Sequence, residues 1–422
     1  MRHLKRTPAV VLAAAACLAL AACSSGNSSS SGSGTSGAAA GGRGPITYVQ
    51  GKDNNNIVQP ILDKWNAAHP DEKVTFKEQS SSADQQHDDL VQNFQAKNAN
   101  YDVASVDVVW TAEFAAKQWL EPLKGDLAID TSKMLAGPVK AATYNKTLYA
   151  GPVTSDGGLL YYRSDLVKTP PTTWDEMISM CSIAKANSMD CYSGQFAQYE
   201  GLTVNVAEAV ATAGGSIVGA DGKTPTVDSA EGKKGLQNLV DGFKNGNIPA
   251  AAIAFKEEES RSAFQDGKLL FLRNWPYVYS ITSKTDGSSA VAGKFAVAPL
   301  PGKSTLGGHN AAISVYSKHK ATAHDFIEFL ESQEVQNMYL TIASNAPVLA
   351  ALYDDPALNA QFPYLKVLKD SIANAEPRPV SPFYPAVTKA IQDNAFAALQ
   401  GDKSVDQAVS DMSAAIKTAS AG

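Results

Sequence analysis

Val103-Ala104-Ser105-Val106-Asp107-Val108-Val109-Trp110 is the stretch on which the fold turns. A β-branched apolar run of this length reads as a strand buried on both faces, as in parallel sheets covered by helices. Asp107 interrupts it, and a carboxylate there is costly to bury without polar partners; the hydroxyl of a ligand is one such partner. Toward the N-terminus, Leu90, Val91 and Phe94 mark an amphipathic helix, and Val74 and Phe76 alternate with polar residues as a strand does. Ile57, Ile61, Leu62 and Trp65 share one helical face, with Pro60 tolerated in the first turn. Ile46 to Val49 reads as a further strand, followed by a polar loop from Gly51 to Asn56. Strands alternating with helices predict an α/β layer architecture.

The alternation returns toward the C-terminus. Thr173-Trp174-Asp175-Glu176 has capping-box spacing and opens a helix. Leu269 to Leu272, Phe295 to Ala298 and Ala311 to Val315 read as buried strands, and Val405, Ala408, Val409, Met412 and Ile416 set out a closing helix. No internal repeat is visible, and two α/β domains are the natural division of a chain of 422 residues. Lys and Arg total 36 against 42 Asp and Glu, a formal charge of −6. That balance lacks the basic excess of phosphate-backbone binding, so nucleic acid is excluded as the expected partner.

Arg2, Lys5 and Arg6 precede an uncharged stretch from Ala9 to Ala22, the layout of a secretory signal and too short to span a bilayer. It ends Leu20-Ala21-Ala22-Cys23, similar to a bacterial lipobox, which implies cleavage after residue 22 and lipid on Cys23. Ser24 to Gly44 is mostly Ser, Gly and Ala, the composition of a flexible tether, so residues 1–22 read as signal and 23–44 as lipidated Cys and linker. The expected location is extracytoplasmic, anchored to the cell membrane by lipid. Cys17 leaves with the signal, and an oxidising compartment then makes Cys181 and Cys191 a disulfide with no catalytic duty.

The search for chemistry mostly excludes. Gly222-Lys223-Thr224 resembles the tail of a phosphate-binding loop, but Ile217 stands where its first glycine is required. No nucleophile elbow occurs in the mature chain. His319 and His324 are five apart, off the spacing that puts two ligands on one helical face, and read as surface histidines; no metal or cofactor is expected. Asp107, Asp156 before Gly157-Gly158, and Glu200 between Tyr199 and Gly201 are candidates for paired-carboxylate chemistry, each also readable as a strand-end, turn or capping residue. Trp275, after a buried strand and before Pro276, sits where open α/β sheets present ligand sites.

Read in order, Val106-Asp107-Val108-Val109-Trp110, Trp119-Leu120-Glu121-Pro122-Leu123, Ser155-Asp156-Gly157-Gly158 with Leu159 to Arg163, Gln198-Tyr199-Glu200-Gly201-Leu202, Arg273-Asn274-Trp275-Pro276-Tyr277, Leu306-Gly307-Gly308 and Pro377-Arg378-Pro379 carry a resemblance. The chain resembles the extracellular solute-binding lipoproteins of bacterial ABC sugar importers, in the trehalose/maltose-binding branch of the maltose-binding-protein superfamily. The resemblance implies a two-lobed periplasmic-binding-protein fold with a ligand cleft between lobes and several hinge crossings. It implies one lobe from residues 45–152 plus 311–346 and another from 153–310 plus 347–422. It implies capture of an α-glucoside disaccharide and delivery to transmembrane permease subunits, with no covalent chemistry. Asp107 and Asp156 look like acceptors for sugar hydroxyls, Trp275 like a stacking platform, Gly308 like a backbone contact and Arg378 like a charged donor, with Glu200 beside them. Where relatives place an acid, a base, a Tyr and a Trp, this chain has Asn54, Gln86, Thr154 and His309, a departure that bears on which sugar fits. A secreted glycosidase using two of Asp107, Asp156 and Glu200, and a cell-surface adhesion or scaffold lipoprotein, are the rival readings.

Overall fold

The computed structural model describes residues 42–421. The signal, Cys23 and most of the tether lie outside the described residues. Thirteen strands are present among those described: β1 (Ile46–Gln50), β2 (Val74–Glu78), β3 (Val103–Asp107), the hairpin β4 (Thr143–Tyr144) and β5 (Thr147–Leu148), β6 (Gly151–Pro152), β7 (Asp156–Gly157), β8 (Leu159–Arg163), β9 (Asp190–Ser193), β10 (Leu269–Asn274), β11 (Phe295–Pro299), β12 (Leu306–Gly307) and β13 (His309–Ile313). A five-stranded sheet runs β2-β1-β3-β13-β6 and a four-stranded sheet β11-β8-β10-β9. No helix among the described residues is long and apolar enough to cross a membrane.

In the five-stranded sheet β1, β2 and β3 are parallel, joined by the helices Val58–Ala68 and Ala83–Gln95, while β13 returns antiparallel against β3. Alternation along the central strands decides the layers: Val103, Ala311 and Ile313 pack into one core with Tyr48, Trp65 and Phe326, whereas Ala104, Val106 and Ala312 face the other. The strand predicted through Val109 stops at Asp107, and Val108 and Val109 stay buried in the turn behind it. Asp107 therefore stands at the carboxyl end of a central strand, where open α/β sheets place ligands.

The four-stranded sheet centres on β8 and β10, whose residues are buried almost throughout. β11, expected as a buried strand, is an edge strand with only Ala298 fully covered. The capping box at Thr173 forms, with Thr173 accepting from the Glu176 amide and Glu176 bonding back. Cys181 and Cys191 are bridged, tying the helix Cys181–Ala186 to β9 as expected. The closing helix runs Val405–Ser420 and buries its four expected residues after Val405, folded back on Tyr384–Gln400 through Gly401, which takes the left-handed conformation that ends helices.

Three chain segments cross side by side between the sheets. Thr154 bridges Pro347, the Ser155 N–H donates to the Ala346 carbonyl, and the Val153 and Thr154 N–H groups both donate to the His309 carbonyl. The fully buried Gln336 amide pins two of these segments, donating to the Val153 carbonyl and accepting from the Val348 N–H. Two sequence readings need correction. The tether's last residues already belong to the fold, since Arg43 pairs with Glu72 and Asp325 and the Gly44 N–H donates to Thr322. His324 is buried, its Nε2 donating to the Ala128 carbonyl, because it shares the inward face of the helix Lys320–Glu331 with Ile327; His319 is half-buried against Gly44.

Candidate functional site

A cavity of about 260 Å³ opens between the crossings and the two sheets, and all ten residues singled out from the sequence line it: Asn54, Gln86, Asp107, Thr154, Asp156, Glu200, Trp275, Gly308, His309 and Arg378. Asn54 comes from the loop after β1 and Gln86 from the following helix, with Gln86 Nε2 held by the Ser80 carbonyl. Thr154, Gly308 and His309 come from the crossings. Gly308 has φ of +111°, and a Cβ there would lie 2.2 Å from the Thr154 carbonyl oxygen, so the close approach of two crossings requires glycine. Thr154 Oγ1 accepts from the His309 N–H. Burial holds the His309 imidazole below its ordinary range, with Arg378 working the same way and Asp107 against.

Arg378 is 3 % exposed and clamped between two carboxylates from distant parts of the chain. Its Nη1 donates to Glu200 at 2.6 Å and its Nη2 to Asp107 at 2.8 Å. Glu200, first residue of the helix Glu200–Thr212, is satisfied further by the Tyr384 and Thr388 hydroxyls. Burial works to lower the Arg378 pKa, but Asp107, Tyr384 and Glu200 more than offset it and hold the guanidinium charged. One donor is left over: Arg378 Nε is buried with no protein partner. Arg378, expected as a charged donor to the ligand, has both terminal nitrogens engaged by protein carboxylates.

Trp275 stands on the opposite wall, half-buried. The Arg273 guanidinium lies 3.9 Å from its ring centre, itself fixed by a bidentate pair with the buried Glu208 and by Gln195. The Trp275 backbone is held by Asn274 and by the Tyr161 hydroxyl, and Gly307 packs against the ring edge. The indole is thus preorganised, one face covered by Arg273. Asp156 lies on β7 beside this wall; burial, and next Asp107, push its carboxyl up to about 7. Around the cavity stand groups that carried no local signal in the sequence, of which Asn55 lines it. Asn55 donates to Ser280 and to the Ala343 carbonyl, and Asp84 accepts the Glu200 N–H, so residues of the two sheets' surroundings are bonded directly at both ends of the cleft. Arg273 lay within a quoted motif without a role; Asp84 and Asn55 were single polar residues in polar segments.

Comparison with known proteins gives this geometry its class. The family of bacterial extracellular solute-binding proteins matches residues 50–337. A probable ABC transporter-binding protein of Deinococcus radiodurans is 34 % identical over 308 residues, 69 % of this chain and 72 % of its own. A mannitol-binding protein of Pseudomonas aeruginosa is 25 % identical over 396 residues, covering 85 % and 89 %. The maltose-bound T. maritima MalE3 structure superposes with a TM-score of 0.85 at 32 % identity, covering 89 % of this chain and 99 % of its own. The chain belongs to the bacterial extracellular solute-binding proteins, the binding components of ABC importers, and its two-lobed fold is theirs. Its place is accordingly outside the cytoplasm.

Proposed function

We propose that the protein captures a small sugar, an α-linked glucose disaccharide of the trehalose or maltose type, and delivers it to the permease subunits of an ABC importer. The observation that carries this reading is the convergence of Trp275, Asp156 and Arg378 on one cavity. A pyranose has an apolar face suited to indole and a rim of hydroxyls suited to carboxylates and a guanidinium. The maltose named for MalE3 supports the disaccharide class, while the mannitol named for the Pseudomonas relative widens it to polyols.

Asn54, Gln86, Thr154 and His309 take the remaining hydroxyls in this reading, Gly308 supplies a backbone contact, and Glu200 acts mainly by fixing Arg378. The lobes are assigned to residues 45–152 plus 311–346 and 153–310 plus 347–422, a division that sheet membership supports except that β13 begins at His309. Anchoring is assigned to lipid on Cys23 after removal of residues 1–22. Binding without turnover is the function; the one pair that favours hydrolysis is Asp156, held up to about 7, beside Asp107.

A thermal-shift panel of trehalose, maltose, sucrose, lactose, glucose and mannitol tests the reading. Ligand at a hundred times its dissociation constant stabilises by ~2.7 kcal/mol, a shift of degrees. A response to at least one α-glucoside is expected, and a flat panel with folded protein overturns it. Free glucose accumulating during prolonged incubation with the disaccharide replaces it with the glycosidase reading.

A further inference from the structure

Seven carboxyl-bearing residues line the cavity against three cationic ones, and two of those three are tied up in ion pairs. Arg378 gives both terminal nitrogens to Glu200 and Asp107. Lys52 pairs with Glu78, pointing its charge away, and the Lys256 ammonium lies 5.1 Å from the Tyr199 ring centre. His309 is held neutral. Asp156 differs from the other carboxylates that border it: Asp107, Glu200 and Glu258 enter ion pairs, and Asp53, Glu257 and Glu259 accept from the Val58 N–H, the Tyr199 hydroxyl and the Lys256 N–H, whereas Asp156 draws only on the Ala346 N–H and has Arg273 committed to Glu208. The cavity therefore offers a ligand one carboxylate that no protein side chain engages, and the one lining cation outside an ion pair, Lys256, is followed directly in sequence by Glu257, Glu258 and Glu259.

We infer that the site selects its sugar by charge, preferring one that carries an ammonium in place of a hydroxyl, directed at Asp156, and rejecting sugars that carry a carboxylate or phosphate. The inference rests on the sugar reading above and deepens it. The chemistry is a charge-assisted hydrogen bond: an ammonium facing Asp156 favours its ionised form and gains more than a hydroxyl does, whereas an anion there favours the protonated form and is repelled by the ionised one. The neighbours that bear on Asp156 agree with this. Asp107 adds negative charge, Arg273 is neutralised by Glu208, and Tyr161, Tyr353 and Tyr364 remain neutral phenols.

Isothermal titration of the mature protein tests this with matched probes: trehalose, its 2-amino and 6-amino deoxy derivatives and trehalose 6-phosphate, and in parallel glucose, glucosamine and glucuronate. At least one amine is expected to bind ten times more tightly than its neutral parent, and the phosphate and glucuronate at least ten times more weakly. In Asp156→Asn the ratio of amine to neutral affinity is expected to collapse toward one, whatever the absolute affinities become. Neutral sugars that bind as well as or better than every amine overturn the charge inference while leaving the sugar reading in place. An amine preference that survives in Asp156→Asn overturns the assignment to Asp156. Silence from all seven probes together with a flat thermal-shift panel in correctly folded protein overturns the sugar reading itself.

Discussion

The two walls of the cavity are built on opposite plans. At the Arg378 wall, side chains from three distant segments satisfy one another: guanidinium, two carboxylates, a phenol and a threonine hydroxyl leave only one N–H over. At the Trp275 wall the satisfied groups stand one layer back, in Arg273, Glu208 and Gln195, and what faces the cavity is an indole and an unpaired Asp156. The first wall holds the protein together in the absence of anything else, and the second is shaped for something the protein does not itself supply. Removing a residue from each should therefore give different phenotypes.

The largest effect is expected at Arg378. Arg378→Ala leaves Glu200 and Asp107 buried without their cation, a loss of about 3–5 kcal/mol for a broken buried pair. Ligand-free melting should fall by many degrees, and binding should weaken with it. A mutant that melts like the parent breaks the comparison, because Arg378 would then belong with the ligand-facing wall.

Trp275→Ala comes next, with the opposite signature. The ring is half-buried and its support is complete without it, so ligand-free melting should move little. Loss of the stacking face should weaken sugar binding at least tenfold, or about 1.4 kcal/mol. Titration beside melting separates the two cases, and wild-type affinity in this mutant removes the indole from the site.

A third carboxyl sharpens what an unpaired acid means here. Glu331 is 7 % exposed, its Oε1 has no partner, and burial, with Glu328 adding to it, pushes it up to about 9, yet it faces no cavity. The folded state holds a proton there that the unfolded chain, with the ordinary glutamate pKa of 4.5, releases. Its stabilising contribution is therefore complete below pH 4.5 and is lost progressively as pH rises toward 9. Glu331→Gln should flatten that decline, by an amount on the order of a few kcal/mol at its alkaline end, and leave sugar affinity alone. A pH profile of melting identical in mutant and parent shows that Glu331 does not titrate in this window.

These residues also mark how far the sequence could be read. Strands and helices with a clear period, such as β3 and Val405–Ser420, were legible because alternation and helical spacing are local. Asp107, Asp156, Glu200, Trp275, Gly308 and Arg378 were legible because they sit in short motifs at strand ends, turns and a helix start, while Asn54, Gln86, Thr154 and His309 were found only as departures from the resemblance. Pairing was not legible: Glu200 and Arg378 are 178 residues apart, and nothing local shows that they meet. Glu331 looks like a solvated helix-end charge until its place four residues after the buried Ile327 is known to face inward. Phe295 to Ala298 has the composition of a central strand, but its position at the sheet edge comes from topology, which the strand itself does not encode.

The smallest expected effect lies between the walls. Asp84, on the helix after β2, accepts the N–H of Glu200 at 3.0 Å, at the start of the helix Glu200–Thr212. A carboxylate at a helix N-terminus is favoured both by the unsatisfied amides and by the helix dipole. Because the donor and the acceptor belong to opposite sides of the cleft, this bond is made when the cleft is closed and lost when it opens. Asp84 does not line the cavity, so Asp84→Ala changes the balance between open and closed forms without touching the ligand. Losing about 1 kcal/mol from the closed form should weaken every ligand by the same factor of about five, neutral or charged, leaving the amine-to-neutral ratio of the parent intact. Small-angle scattering of the ligand-free mutant should show a larger radius of gyration than the parent. Affinity losses that differ from ligand to ligand would instead place Asp84 in contact with the sugar, and the separation of a self-satisfied wall from a ligand-facing one would have to be redrawn around it.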